Sequence, residues 1–321
     1  MSALPDKMIS ILVIVGPTAV GKSETAILVA RELGGEIISA DSRQFYTGLE
    51  VGSGAPAREW LEQVPHHFVG ATTLAAPITA GEFGRVGRVK IEEAANRGKI
   101  PIVVGGSGLY VRALVQGLAP MPPASTKRHR LQTELKERGF EALFAELNAA
   151  DPEYARLVSP TTPKRLIRAL EVQRLSGKPF SEWHRKNQPK PWCRPLTIGL
   201  ERPRRELREI IDRRTRAMIA NGWLDEVGKL LSVTSKAEDF PPAAREAVGY
   251  RLLAEVLTNK RSLEEATTLI VTATRQFAKR QMTWFRADKT TEWLMGCGSD
   301  APKIWAAEIV ERWRSFQSVR E

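Results

Sequence analysis

Eight residues near the start, Gly16-Pro17-Thr18-Ala19-Val20-Gly21-Lys22-Ser23, have the G-x-x-x-x-G-K-[ST] spacing of a phosphate-binding loop. Its chemistry is anion capture. Backbone N–H groups and a helix N-terminus face the phosphates, Lys22 supplies a point charge, and the Ser23 hydroxyl can ligate Mg²⁺. The flanks suit the task. Ile9-Ser10-Ile11-Leu12-Val13-Ile14-Val15 reads as a strand buried on both faces, and residues 24–33 are rich in helix formers and close on Gly34-Gly35. Asp41 is the second candidate. It ends the strand candidate Glu36-Ile37-Ile38-Ser39-Ala40, where it either receives a proton from an acceptor or serves as an Asx-turn or helix cap. A third strand, Ile100-Pro101-Ile102-Val103-Val104, ends at Gly105-Gly106-Ser107-Gly108, which lacks the third glycine of a dinucleotide fingerprint.

Strands alternating with helices from 9 to about 117 predict a parallel sheet with helices on both faces, the α/β class. In such sheets ligands sit past the carboxyl ends of the strands, where Ser23, Asp41 and Ser107 fall. The proline-rich stretch Ala119-Pro120-Met121-Pro122-Pro123 breaks the pattern, and residues 124–190 read as helical, polar and basic. Leu196-Thr197-Ile198-Gly199-Leu200 returns to the sheet, and beyond 203 the chain reads as helical throughout. The expected organisation is a P-loop core over 1–119, a helical insertion over 120–195, and a return to the core with C-terminal helices over 196–321. The Trp305, Ile309, Trp313, Phe316 stripe is expected to pack in the core.

The 321 residues carry 48 Lys and Arg against 37 Asp and Glu, a net charge of +11 that suits a phosphate-backbone partner better than a small metabolite. Two cysteines without CxxC spacing argue for a reducing compartment and against structural zinc. No apolar run is long enough to span a bilayer, and residues 1–7 lack the pattern of a signal peptide. A soluble cytoplasmic protein is expected. His66 and His67 are adjacent in a turn led by Pro65, a setting that suits hydrogen-bonded bracing of a loop more than metal binding.

Asp41-Ser42-Arg43-Gln44-Phe45-Tyr46, Pro65-His66-His67, Gly105-Gly106-Ser107-Gly108-Leu109-Tyr110, Arg165-Leu166-Ile167-Arg168-Ala169-Leu170-Glu171-Val172, Val248-Gly249-Tyr250 and residues 274–286 follow the loop in order. Together these motifs resemble the bacterial tRNA dimethylallyltransferases (tRNA isopentenyltransferases) over nearly the whole chain. The resemblance implies transfer of a dimethylallyl group from dimethylallyl pyrophosphate to N6 of the adenosine 3′ of the anticodon, in tRNAs reading codons that begin with U. It implies a kinase-like P-loop fold, Mg²⁺ as cofactor, the tRNA anticodon stem-loop as partner, and a monomer.

Catalytic roles pass to Asp41, Thr18 and Arg214. Asp41 would take the N6 proton, and Arg214, four before Met218 as in the family's R-x-x-x-M, would close on the pyrophosphate beside Arg213. The pyrophosphate would lie on Gly16, Pro17, Thr18, Ala19, Val20, Gly21, Lys22 and Ser23. Contact with tRNA passes to Asp41, Ser42, Arg43, Gln44, Ser107, His129, Lys164, Arg165, Arg168, Glu246, Gly249, Tyr250, Arg251, Lys279, Arg280, Gln281, Thr283, Trp284 and Arg286. This chain departs from the pattern at Ser107 (usually Thr), at Thr161-Thr162 (usually Asn-Asp) and at Glu246 (often basic or amidic). Within the Ser262–Arg286 segment, Ser262 and Glu265 form a capping box. Leu263, Ala266, Ile270, Ala273, Phe277 and Trp284 are expected to face the core, while Arg275, Lys279 and Arg286 lie on a basic stripe. The alternatives are a small-molecule P-loop kinase, a prenyltransferase acting on free adenine nucleotides, and a non-catalytic nucleic-acid-binding ATPase. The first two do not account for the insertion and the basic helices, and against the third no apolar strand ending in the Asp-Glu of a Walker B motif is visible.

Overall fold

The run Ile9–Val15 forms the central strand β1, and its alternation assigns its side chains to two cores: Ile11, Val13 and Val15 to one face, Leu12 and Ile14 to the other. The computed structural model describes residues 8–120 and 126–318. Around β1 lie β2 (Gly35–Ser39), β3 (His66–His67), β4 (Ile100–Gly105), β5 (Cys193–Glu201) and β6 (Glu292–Met295). They make one parallel sheet in the order β3-β2-β4-β1-β5-β6. Helices of eight or more residues are α1 (Lys22–Leu33), α2 (Ala80–Asn96), α3 (Gly108–Val115), α4 (Thr126–Ala150), α5 (Pro163–Ser176), α6 (Arg204–Met218), α7 (Leu224–Thr234), α8 (Tyr250–Leu257), α9 (Leu263–Arg286) and α10 (Ala301–Ser318). Burial on both faces explains why the inner strands read as apolar runs rather than alternating ones.

One core is roofed by Phe83 of α2, Leu114 of α3 and Leu253 of α8, the other by α1 and α10. Trp305, Ile309 and Trp313 of α10 are buried there, and Phe316 stacks on Trp313 at 5.7 Å. Two compact units are distinguished, one of residues 1–115 with 191–321, the other of residues 116–190. The smaller unit packs Leu131 and Leu147 of α4 against Leu166 and Leu170 of α5. α4 is interrupted at Gly139, whose φ of 79° breaks the helical path. At its heart the fully buried Glu171 receives Arg128 and Arg168. Of the proline-rich stretch, Met121–Pro123 lies outside the described residues, as do residues 1–7.

Two expectations are corrected. The region beyond 203 is not helical throughout, because β6 adds an edge strand beside β5. Only Leu294 of its four residues is buried, so it carries no apolar run or clean alternation to announce a strand. The pair His66-His67 stands in a two-residue edge strand rather than a turn. His66 Nδ1 meets the Val64 carbonyl at 2.7 Å, and His67 Nε2 meets Glu36 at 2.8 Å. Glu36, buried, also receives Arg97, whose hydrogen bonds hold its carboxyl below the usual carboxylate range against the opposing effect of burial.

Candidate functional site

The loop after β1 is built on conformations that ordinary side chains resist. Gly21 opens α1 at φ 116°, beside the Trp305 ring of α10, and Ala19 is held at φ 66°. The Arg202 guanidinium lies 5.0 Å from the centre of the Trp305 ring and donates to the Val20 carbonyl at 2.8 Å. The loop is therefore fixed from below by β5 and α10. Lys22 curls back so that Nζ donates to the Pro17 carbonyl at 2.8 Å. Burial lowers the Lys22 ammonium to about 8; Asp41 opposes the shift and the Arg214 charge adds to it.

A bound pyrophosphate would raise that value again, so the sign of its pH dependence follows. Below pH 8 Lys22 is already charged in the free protein, and binding costs no proton. Above pH 8 the complex must take one up, and affinity falls with rising pH. Calorimetry at pH 9 in buffers of different ionisation enthalpy is expected to show proton uptake on binding of an organic pyrophosphate. Lys22→Met should abolish it; undiminished uptake by the variant would assign the proton elsewhere.

Asp41 lies just past β2. Its Oδ1 accepts the Arg43 N–H at 3.0 Å, the Asx-turn of the open alternatives, while the residue also lines the cleft beside the loop. Ser107, just past β4, accepts the Ser42 N–H at 2.9 Å and donates to the Ser42 hydroxyl at 3.1 Å. Three adjacent strand ends thereby converge. Arg214 reaches in from α6, with Nη1 at 3.4 Å from the Thr18 hydroxyl and Nη2 at 3.3 Å from the Gly54 carbonyl. Its neighbour Arg213 is exposed and lines neither cavity, which distinguishes the two arginines.

Two cavities meet at Thr18, Ala19, Asp41, Ser53 and Arg214. One holds Lys22 and Ser23 at its floor, with Trp60 and Val69 on its wall. The other, about 500 Å³, is walled by Tyr110, Met218, Trp223, Phe277 and Trp284, with Arg43, Glu246 and Arg280 among its polar lining. Ser23 and Asp41 both line the first, and among the described residues no group of three His, Cys, Asp or Glu could hold a metal alone. Such a sparse oxygen set fits Mg²⁺, which takes few protein ligands and completes its shell with phosphate oxygens and water.

Several tRNA-contact expectations meet a different placement. Tyr250 is fully buried and its hydroxyl donates to Glu226 at 2.7 Å, and Gly249 is buried against Trp223, so neither presents a surface to RNA. Gln281 is buried: Oε1 accepts the Thr18 N–H and Nε2 donates to the Gly106 carbonyl, each at 2.8 Å. It ties the phosphate loop to the glycine turn after β4. The Ser262–Glu265 capping box is present. Trp284, however, is exposed to 42% instead of facing the core, and Leu263 is also exposed. The buried stripe of α9 runs through Thr267, Ile270, Val271, Ala278, Gln281 and Phe285, which turns Phe277 and Trp284 toward the second cavity. Lys279, Arg280 and Thr283 are exposed, and Arg286 is paired with Glu201. Arg251 is exposed, while Arg43 donates to the Ala243 carbonyl at 3.0 Å and pairs with Glu246 at 3.6 Å. In the smaller unit His129, Lys164 and Arg165 are exposed, and Arg168 is engaged with Glu171. Gln44 donates to the Gly54 carbonyl at 3.1 Å. The segment 49–54 and its anchor Glu226 were not anticipated; the Gly52-Ser53-Gly54 spacing was the available signal of a close backbone approach.

The family described as IPP transferase matches residues 44–288. The chain belongs to the IPP transferase family. Among its curated relatives, the tRNA dimethylallyltransferase 1 of Pelobacter propionicus is 43% identical over 288 residues, 88% of this chain and 92% of that one. The tRNA dimethylallyltransferase of Chlorobium phaeobacteroides is 40% identical, covering 93% of each chain. Solved structures agree. The full-length tRNA isopentenylpyrophosphate transferase of Bacillus halodurans superimposes with a TM-score of 0.66 at 31% identity, over 97% of this chain and all of that one. A eukaryotic dimethylallyltransferase acting on tRNA gives a TM-score of 0.75 at 27% identity, over 89% of this chain and 74% of that one. The family match begins at Gln44, so the loop 16–23 of this IPP transferase lies ahead of it.

Proposed function

We propose that this chain transfers a dimethylallyl group from dimethylallyl pyrophosphate to N6 of the adenosine 3′ of the anticodon, in tRNAs reading codons that begin with U. The products are N6-isopentenyladenosine and pyrophosphate. The observation that carries this reading is the meeting of two cavities at Asp41, Thr18 and Arg214. One has the furnishing for a pyrophosphate, the other the flat apolar walls and polar rim that an extruded base requires.

The adenine amino group is a weak nucleophile, because its lone pair is conjugated with the ring. Asp41 takes the N6 proton as the C–N bond forms, and the C–O bond to pyrophosphate breaks. Charge gathering on the departing pyrophosphate meets the loop N–H groups, Lys22, the Thr18 hydroxyl and Arg214. Ser23, with Asp41 nearby, would hold Mg²⁺, whose contribution when bound is to neutralise that same charge. The helical unit 116–190, with exposed His129, Lys164 and Arg165, serves to hold the anticodon stem-loop. In the larger unit the α9 face bears exposed Lys279 and Arg280, to which phosphate contact is assigned separately. Among the described residues no helix is long and apolar enough to cross a membrane. A monomer working in the cytoplasm completes the reading.

Incubating the protein with bulk tRNA and dimethylallyl pyrophosphate, then digesting to nucleosides, is expected to shift the mass of one adenosine by a prenyl unit. Labelled ATP in place of the donor should leave the RNA unlabelled. Phosphate transferred to RNA, or the absence of a prenylated nucleoside, would overturn the assignment. Stem-loop binding should weaken steeply with salt as counterions are released. Lys279→Ala is expected to lower the salt slope by about one unit. Arg286→Ala should lower it by less, because Glu201 already neutralises that guanidinium in the free protein. Unchanged slopes for both variants, measured by fluorescence anisotropy, would remove this helix face from the RNA contact, whereas equal decreases would remove only the effect ascribed to Glu201.

A further inference from the structure

Glu226, on α7, is a buried carboxylate that accepts from three uncharged donors. Its Oε2 accepts the Val51 N–H at 2.8 Å; its Oε1 accepts the Gly52 N–H at 2.9 Å and the Tyr250 hydroxyl at 2.7 Å. The two N–H groups belong to the first turn of the short helix Glu50–Ser53, whose amino end has no cap from its own side chains. A carboxylate from 175 residues away does that work. Tyr250, fully buried, also places its hydroxyl 3.4 Å from the Leu49 carbonyl. Burial, with the Glu226 charge adding to it, pushes the phenol up from its ordinary value, so it stays protonated and remains a donor.

The turn held in this way ends at Gly54, and Gly54 is where the active-site arginine is met. Its carbonyl accepts from Arg214 Nη2 at 3.3 Å and from Gln44 Nε2 at 3.1 Å. The fit leaves no room for error. Gly54 stands at φ 60°, and a Cβ built there would overlap Arg214 Nη2; one built on Gly52 would overlap Trp223 Nε1 and the Tyr250 hydroxyl. Because the guanidinium is planar, fixing Nη2 on Gly54 fixes the direction in which Nη1 points, toward the Thr18 hydroxyl.

We infer that Glu226 is a positioning residue for the transfer: through the 49–54 turn it sets the place and tilt of the Arg214 guanidinium that receives the pyrophosphate. The inference rests on the proposed reading that Arg214 holds the leaving group. Glu226 touches no substrate itself. Its substitution by Gln leaves one acceptor oxygen where there were two, so one of the three donors faces an amide N–H₂ instead. The turn then loosens on the side that carries Gly54.

The test is a double-mutant cycle on wild type, Glu226→Gln, Arg214→Ala and the double variant, with inorganic pyrophosphate in Mg²⁺ buffer as the calorimetric probe. Glu226→Gln is expected to weaken pyrophosphate binding and raise the donor KM about tenfold, the scale of one misplaced charge-assisted hydrogen bond. Stem-loop affinity should stay within about twofold. In the Arg214→Ala background the same change should have almost no effect, because the group it positions is gone. A merely structural glutamate would give equal losses in both backgrounds and would weaken stem-loop binding as well; that pattern overturns the inference. Should Glu226→Gln fail to fold, Tyr250→Phe, which removes a single donor, runs through the same cycle with a smaller loss in the same direction. Pyrophosphate binding that Arg214→Ala weakens and Glu226→Gln leaves unchanged overturns the inference alone. No binding by wild type overturns the functional reading with it.

Discussion

Replacing Asp41 by Asn is expected to slow prenyl transfer at least about a hundredfold, the usual worth of a positioned general base. The structure makes this a clean substitution. Oδ1 of Asp41 accepts the Arg43 N–H at 3.0 Å, and an Asn carbonyl can accept the same bond, so the turn at the end of β2 survives. What is lost is the ability to take a proton. Single-turnover rates with a stem-loop and saturating donor measure the chemical step, and stem-loop affinity should stay within several-fold. A variant that turns over at the normal rate would reduce Asp41 to its turn and send the search for the base elsewhere.

Arg214→Ala should cost about a hundred- to a thousandfold in kcat/KM for the donor, the range seen when one preorganised donor to a developing anion is removed. Product inhibition by pyrophosphate should weaken in parallel. Arg214→Lys is expected to recover only a small part, because an ammonium cannot span the Thr18 hydroxyl and the Gly54 carbonyl with two fixed N–H groups. The exposed neighbour offers an internal control: Arg213→Ala should leave both constants within about twofold. Undiminished pyrophosphate inhibition in Arg214→Ala would remove this side chain from the donor site.

The parts of the fold legible in the sequence were those where one local signal decides. β1 runs over the same seven residues read from its apolar run, and the Ser262–Glu265 capping box opens α9 as its spacing implied. Where several signals compete, periodicity alone misassigns. Trp284 and Phe277 fit a helical stripe with Ile270, yet α9 buries a stripe offset from them and leaves both to line a cavity. Over 24 residues a helix presents more than one apolar row, and only the tertiary neighbours select the buried one. Tyr250 and Gln281 sit in motifs that resemble a tRNA-contact set, but their side chains hold protein to protein. A polar residue's type does not reveal whether its partner is a ligand or a distant backbone amide. β6 was invisible for a related reason, since an edge strand with one buried side chain carries almost no pattern of its own.

The support of the phosphate loop from below has a bearing on synthesis. The first strand pairs with Cys193–Gly199, and the loop that follows it rests on Arg202 and Trp305. A chain leaving the ribosome thus displays its phosphate-binding residues long before the partners that shape them exist. Until residue 201 has emerged, β1 has no β5 to pair with, and until residue 305 has emerged, Gly21 has no indole beside it. Non-local parallel pairing of this kind is slow to form and exposes apolar strand edges meanwhile. Competence to bind pyrophosphate should therefore arrive abruptly, near the end of translation, rather than growing with chain length. In ribosome-stalled chains released at increasing lengths, the step in affinity is expected between chains ending before Ala301 and those that include Trp313.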